Sequence, residues 1–283
     1  MEFAVIGDQG MLGSEMRSML ETLGQNVSGF NRSNLNLDWS PQEIAGVLSQ
    51  SEVLINCVAY TKVDEAEQNW ELANLVNGDY AGKLATAARL VGAKMVHIST
   101  DYVFPGTSKL PASTNDQVAP VNAYGRSKAL GEELVMNSGA EFQIFRTAWL
   151  YGSQGNCFPK SIARKLLESG TVKVVDDQFG QPTWTKDLCE VIYDHSLNEY
   201  SEPIVHAVSS GSTNWFEFAE AVAYELPRPE SYELRSISTS ELSLKPVRPQ
   251  FSVLNNSESK GQVIGDWLDR WRAAATEVLG SAQ

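Results

Sequence analysis

Short apolar runs of strand length alternate with longer stretches whose apolar residues recur at helical spacing. The runs at 2–7, 27–30, 53–58, 94–99 and 142–146 read as strands. Between them, 12–23, 72–90 and 124–137 carry helical periodicity, and Ser40-Pro41 reads as the cap and first-turn pair of a further helix. This alternation predicts a parallel sheet with helical crossovers, an α/β fold of the Rossmann-type, doubly wound class. Residues 105–122 are rich in Pro, Ser, Thr and Asn and predict a surface loop, placed as a candidate lid. After Thr147 the regularity weakens. The segments 172–175 and 185–197 read as one more strand and helix returned to the sheet, and the rest mixes short elements. Trp267 and Trp271 share one helix face, expected to dock on the core. The pattern divides the chain into a sheet domain, 1–151 plus 171–200, and a smaller C-terminal α/β domain, 152–170 plus 201–283.

Composition narrows the class. A chain of 283 residues buries a substantial core. No apolar run reaches the roughly 18 to 20 residues of a membrane span, and MEFAVIG enters a strand without a signal-peptide layout, so a cytoplasmic location is expected. Cys57, Cys157 and Cys189 are odd in number and widely spaced, as free thiols would be. A formal net charge of -13 argues against nucleic acid or an anionic membrane as partner. An anionic ligand must therefore be held locally.

One such place follows the first strand directly. Gly7-Asp8-Gln9-Gly10-Met11-Leu12-Gly13 puts three glycines where backbone must approach a pyrophosphate, and opens a helix whose first N–H groups and dipole favour phosphate. The second strand ends in Phe30-Asn31-Arg32-Ser33. It offers a guanidinium and no carboxylate, which favours NADPH over NADH, with NADH still possible. Further along, Tyr124 and Lys128 stand one helical turn apart on one face. A phenol ionises near pH 10 in water, roughly, and a nearby cation is expected to lower that value toward the working range. Thr100, at a strand end, is placed to donate a second hydrogen bond to a substrate carbonyl. The order of glycine turn, Asn56-Cys57-Val58-Ala59-Tyr60, Ser99-Thr100-Asp101-Tyr102 and Tyr124/Lys128 sets each block at a strand end or helix start, where α/β ligands collect. His97, His195 and His206 lack ligand spacing and read as structural, and no metal is expected.

These blocks resemble the extended short-chain dehydrogenase/reductases. INCVAYTKVDEAE (55–67), STDYVFPG (99–106), FRTAWLYG (145–152), DDQFGQPTWTKDL (176–188) and Arg248-Pro249 with Ser252 and Leu254 are specifically similar to the dTDP-4-dehydrorhamnose reductase family. The resemblance covers nearly the whole chain. It implies Thr100, Tyr124 and Lys128 as the catalytic set and Gly7, Gln9, Gly10, Met11, Leu12, Gly13, Asn31, Arg32, Ala59 and Tyr60 beside the cofactor. Thr61, Asp101, Tyr102 and Trp149 join Thr100 and Tyr124 in the sugar pocket. The implied reaction is reduction of the C4 ketone of dTDP-4-dehydro-6-deoxy-L-mannose to dTDP-L-rhamnose, in a possible homodimer.

Tyr102 follows Asp101 where related dehydratases carry Glu, so dehydration lacks its base. The chain departs from the family at Cys157 and Phe251, each in place of a usual Asn, and at Asn36-Leu37-Asp38 near the adenine. Glu15 matches a residue linked in some members to a bridging magnesium. The alternatives are a reductase of another nucleotide-linked 4-keto-6-deoxy sugar and a non-catalytic subunit resembling the methionine adenosyltransferase β subunit.

Overall fold

A computed structural model describes residues 1–198, 200–242, 246–257 and 259–280. The first half alternates as the pattern predicts: β1 (Glu2–Ile6), α1 (Met11–Thr22), β2 (Asn26–Phe30), α2 (Pro41–Val47), β3 (Val53–Asn56), α3 (Val63–Ala66), α4 (Trp70–Asn74), α5 (Tyr80–Val91), β4 (Lys94–Thr100), α6 (Ala123–Met136) and β5 (Phe142–Thr147). Shorter elements follow: β6 (Leu150–Tyr151), α7 (Phe158–Ser169), β7 (Thr171–Val175), β8 (Phe179–Gly180), β9 (Thr183–Trp184), α8 (Thr185–Leu197) and β10 (Ile204–His206). The last are β11 (Thr213–Asn214), α9 (Trp215–Tyr224), β12 (Glu233–Ile237) and α10 (Trp267–Leu279).

The main sheet runs β2-β1-β3-β4-β5-β10 with every neighbouring pair parallel. Alternate residues serve opposite faces. Phe3 and Val5 pack with Leu12, Met16 and Leu188 under α1 and α8, while Ala4 and Ile6 pack with Ile44, Leu84 and Val135 under α2, α5 and α6. The strand order reverses between β1 and β3, which opens a crevice beyond their carboxyl ends, the place where open α/β sheets bind ligands. The sequence's helix start at Ser40-Pro41 is a full capping box. Ser40 accepts from the Glu43 N–H at 3.3 Å, and the Glu43 carboxylate accepts from the Ser40 N–H at 2.8 Å.

Three expectations change. The single helix expected over 72–90 is broken by a π-helical turn, Leu75–Asp79. There the Asn77 side chain turns inward, accepting from the Tyr60 N–H at 2.7 Å and donating to the Tyr60 carbonyl at 3.1 Å and to Ser127 Oγ at 2.9 Å. An extra residue in the turn is what lets that amide reach the neighbouring loop. Secondly, 172–175 does not rejoin the main sheet. β7 pairs with β12, because Val172 and Val174 belong to a separate core of α7, α9 and α10. The sixth strand is β10, from the segment assigned to the smaller domain, although α8 does return to the sheet and packs on α1. Thirdly, the 105–122 loop is strapped down. Ala112 exchanges backbone hydrogen bonds with Val253 and Asn255, at 2.8 Å each, the Ala119 N–H reaches the Val103 carbonyl, and Arg146 donates to the Thr114 carbonyl.

The C-terminal core is aromatic. Trp271 is fully buried, crossing Tyr151 and Phe218 edge-on and donating to the Ala221 carbonyl at 3.0 Å, so α10 docks by the face its spacing predicts. Among the described residues no helix is long and apolar enough to cross a membrane.

Candidate active site

The turn after β1 is shaped by what its glycines lack. Gly7 has a φ of +87°, open to glycine at no steric cost, and a side chain there would also crowd Val58. A Cβ on Gly13 would lie 2.1 Å from the Gly7 carbonyl oxygen, so α1 meets the turn at a distance no other residue permits. Gly10 caps α1 with no side chain bonded to its first N–H groups. Gly10 itself lines a cavity of about 540 Å³, with Gly7, Gln9, Asn31, Arg32 and Ala59 among the residues expected from sequence. The same cavity is lined by Ser33, Leu37 and Val58, which stand in the blocks singled out from sequence, and by Leu35, Val76 and Tyr80, which the sequence reading missed. Their signal was weak, since apolar residues after β2 read equally as core.

The buried Asp8 carboxylate accepts from Asn31 Nδ2 at 3.1 Å and from Arg17 at 3.0 Å, which fixes Asn31 at the cavity edge. Arg32 is exposed at that edge beside Ser33. Met11 and Leu12 do not line the cavity. Met11 packs against the C-terminal core and Leu12 under the sheet, leaving only their backbone at the helix start. The cradle and the open helix end fit a dinucleotide pyrophosphate.

The inner wall of the cavity leads to the polar cluster. Cys57 lines it and is close enough to Lys128 for their charges to interact, while burial pushes the thiol up to about 12 and leaves it unreactive. Lys128, 1% exposed, donates to the Ile98 carbonyl at 2.6 Å. Burial brings its ammonium down to about 8, against the opposing pull of Glu132 one turn further along α6. That carboxylate is itself buried, bonded bidentately by Arg146 at 2.9 and 2.7 Å and by Ser99 Oγ at 2.5 Å. Arg146 also lies over the Phe104 ring. Neither Glu132 nor Arg146 stands out in the sequence, because no local spacing connects α6 to β5.

Thr100 ends β4 and is buried. Its hydroxyl donates to Asp101 Oδ1 at 2.8 Å and accepts from the Tyr102 N–H at 3.2 Å. Burial raises the Asp101 carboxyl to about 6, offset in part by hydrogen bonds from Ser252 and Thr100. Tyr124 lies in the first turn of α6, whose N-cap Asn122 accepts from the Gly125 N–H at 2.8 Å and donates to the Val247 carbonyl. A Cβ on Gly125 would meet the Tyr102 carbonyl oxygen at 2.2 Å, so that glycine lets the helix abut the Tyr102 loop. The Tyr102 and Tyr124 rings meet edge to face at 5.7 Å.

Burial pushes the Tyr124 phenol up to about 12, with the Thr100 hydroxyl pulling it back and the Asp101 charge adding to the rise. This corrects the expectation that Lys128 lowers it: the ammonium is bonded to Ile98 and burial governs the phenol. The result is a phenol that stays protonated at neutral pH, suited to donating a proton.

The remaining site residues differ in placement. Tyr60 packs with Tyr124 around Ala66, Ala73 and Ala123, held by Asn77. Thr61 is exposed and does not cap α3, whose N-cap is Lys62. Trp149 is half-buried just after β5, with its ring stacked on Trp215. His195 and His206 bond backbone carbonyls, at Lys260 and Asn255, and His97 bonds Asn56. Among the described residues no group of three or more His, Cys, Asp or Glu could hold a metal ion.

Residues 1–283 match the family described as the RmlD substrate binding domain. A dTDP-4-dehydrorhamnose reductase of Burkholderia thailandensis is 35% identical, covering 97% of this chain and 96% of the relative. A dTDP-4-keto-6-deoxy-D-glucose reductase of Streptomyces niveus is 34% identical, covering 97% and 95%. The crystal structure of a dTDP-4-dehydrorhamnose reductase from Bacillus anthracis, in complex with NADP, superposes with a TM-score of 0.91 at 31% identity over 98% of this chain and 100% of that one. Sequence, fold and site geometry thus agree, and the chain belongs to the RmlD family, with dTDP-4-dehydrorhamnose reductases among its relatives.

Proposed function

We propose that the chain reduces the C4 ketone of dTDP-4-dehydro-6-deoxy-L-mannose to dTDP-L-rhamnose, with NADPH as reductant and NADH as an alternative. The observation that carries the reading is Lys128 beside Cys57 on the wall of a cavity headed by the glycine turn, with Tyr124 one helical turn before it and in contact with Thr100. The B. thailandensis relative and the NADP-bound structure support the substrate and the cofactor.

In this reading Gly7, Gly10 and the start of α1 hold the pyrophosphate, with Asn31, Arg32 and Ser33 around the adenosine end. NADPH, when bound, supplies the hydride that adds to C4. Tyr124 gives its phenolic proton to the C4 oxygen, so the ketone gains a hydride and a proton and becomes a secondary alcohol. Lys128 supplies positive charge beneath the reacting groups. Thr100 holds Asp101 and, once Asp101 takes up a proton and donates to it, can turn its own hydrogen to the C4 oxygen. Tyr102, Thr61 and Trp149 flank the sugar, and no carboxylate follows Asp101 to act as a dehydratase base.

The S. niveus relative favours a second reading, reduction of an epimeric 4-keto sugar, because the face presented to the hydride is set by the pocket wall and not by Tyr124. A non-catalytic dinucleotide-binding subunit is the remaining alternative. A homodimer and a cytoplasmic location belong to the proposal, resting on the resemblance and on composition; sedimentation velocity tests the first. The function itself is tested by NMR identification of the product from dTDP-4-dehydro-6-deoxy-L-mannose and NADPH. The expected product is dTDP-L-rhamnose. Formation of the other C4 epimer supports the second reading, and NADPH binding without oxidation of any 4-keto sugar supports the subunit.

A further inference from the structure

Trp149 has a φ of +45°, and Arg228 is the other non-glycine residue at positive φ among the described residues. For a bulky side chain such a backbone is strained, and it persists only where the surroundings over-determine it. Here they do. The Trp149 indole lies face to face with that of Trp215, centroids 3.5 Å apart and planes 8° from parallel, and Phe158 packs on Trp215 at 4.5 Å. Gly180 abuts the same Trp149 ring so closely that a Cβ would come within 2.4 Å of Cε2.

The supports come from segments far apart in sequence. Trp215 and Phe158 are the first residues of α9 and α7, and Gly180 ends β8. Trp149 itself lies two residues beyond Thr147, which pairs with Thr100 across β5 and β4. It also packs into the small core of Val103, Phe104, Ala148, Val208 and Leu254, directly behind the Asp101–Tyr102 loop. Trp215 is missing from the sequence reading, and nothing else in the mechanism uses it.

We propose that Trp215 is a positioning residue for the sugar subsite. Together with the absent side chain of Gly180, it clamps Trp149 in its left-handed backbone so that the uncovered part of the indole forms a fixed wall beside Tyr102 and Thr100. Such a wall is apolar, suited to the carbon-bound face and methyl group of a 6-deoxyhexose. An indole free to swing would still leave dinucleotide binding intact, because the glycine turn is built on the other side of the cleft. The inference rests on the proposed reduction of a 4-keto-6-deoxy sugar.

The test compares Trp215→Ala, Trp215→Phe and Gly180→Ala in the full chain, with dTDP-4-dehydro-6-deoxy-L-mannose and NADPH. Trp215→Ala and Gly180→Ala should each raise the sugar-nucleotide KM by about tenfold or more, with the NADPH KM changed less than about twofold. Gly180 has no left-handed φ, so alanine there is acceptable to the backbone and acts only through the indole. Trp215→Phe keeps a flat ring and should stay within about threefold of the parent. Two indoles this close also give an exciton couplet in the far-ultraviolet circular dichroism, lost in both Trp215 variants and altered in Gly180→Ala. Loss of the couplet with an unchanged sugar KM in Trp215→Ala, or an altered couplet with an unchanged sugar KM in Gly180→Ala, overturns the inference, as does a parallel rise in both KM values. A parent protein inactive on every 4-keto sugar would instead remove the functional reading, and this inference with it. If Trp215→Ala does not fold, Gly180→Ala and Trp215→Phe carry the same comparison.

Discussion

The two walls of the cleft are built from different materials. On the cofactor side the surface is backbone: Gly7 in a left-handed turn, Gly13 with no room for a Cβ, and the uncapped start of α1. All of it comes from one stretch of a dozen residues, Ile6 to Arg17, with β2 alongside. On the proposed sugar side the surface is side chains brought from afar, Trp149 stacked on Trp215 and abutting Gly180. Backbone recognises what every dinucleotide shares, its pyrophosphate, and can be read as a local pattern. Side-chain packing distinguishes one sugar from another and is fixed only when the whole chain has folded.

Behind neither wall alone, the buried Glu132–Arg146 pair joins α6 to β5 and, through Thr114, to the 105–122 loop. Breaking it should have the largest effect, because it strands a buried guanidinium. Glu132→Ala is expected to cost about 3–5 kcal/mol of stability, read by denaturant titration. Gly13→Ala should damage the cofactor wall alone. We expect a stability loss of about 1–3 kcal/mol from overpacking, with the NADPH Kd raised about 100-fold by fluorescence titration as α1 backs away from the turn. A comparable loss of sugar-nucleotide binding in the same variant would break the separation of the two walls.

The pH dependence sharpens the picture further. Burial sets Lys128 near 8, below its ordinary 10.5, so its ammonium is present below about 8 and lost as pH rises through that value. The kcat/KM for reduction should fall about tenfold per unit above it, in a pH–rate profile. Folding stability moves the other way. The folded chain releases this proton before the unfolded chain does, so stability rises as pH climbs from about 8 to 10.5. The smallest effect is expected from Arg32→Ala. A single exposed guanidinium facing a phosphate should shift the NADPH KM by roughly fivefold and leave the NADH KM unchanged, by steady-state kinetics.

The same division governs what could be read from the sequence. The first five strands and the glycine turn were legible because apolar runs and G-x-x-G-x-x-G are local signals, and Tyr124 and Lys128 because one helical turn fixes their relation. The sixth strand was not: β10 spans only Ile204–His206, too short for any alternation, whereas 172–175 shows the stronger apolar run yet pairs with β12. The π-helical turn at Leu75–Asp79 was hidden because it depends on Asn77 finding Tyr60 and Ser127. Among the site residues, Met11 and Leu12 belong to the motif but turn their side chains into the cores. Trp215 looked no different from Trp267 and Trp271, since an aromatic at a helix start says nothing about which ring it will meet.

The proton donor is the point on which the account turns. Single-turnover NADPH oxidation, followed at 340 nm with dTDP-4-dehydro-6-deoxy-L-mannose, compares the parent protein with Tyr124→Phe after their NADPH affinities have been matched by fluorescence titration. The account predicts NADPH affinity within about twofold and an oxidation rate lower by about 100-fold or more, because the substitution deletes an acid and no phosphate contact. An unchanged oxidation rate in Tyr124→Phe would contradict it.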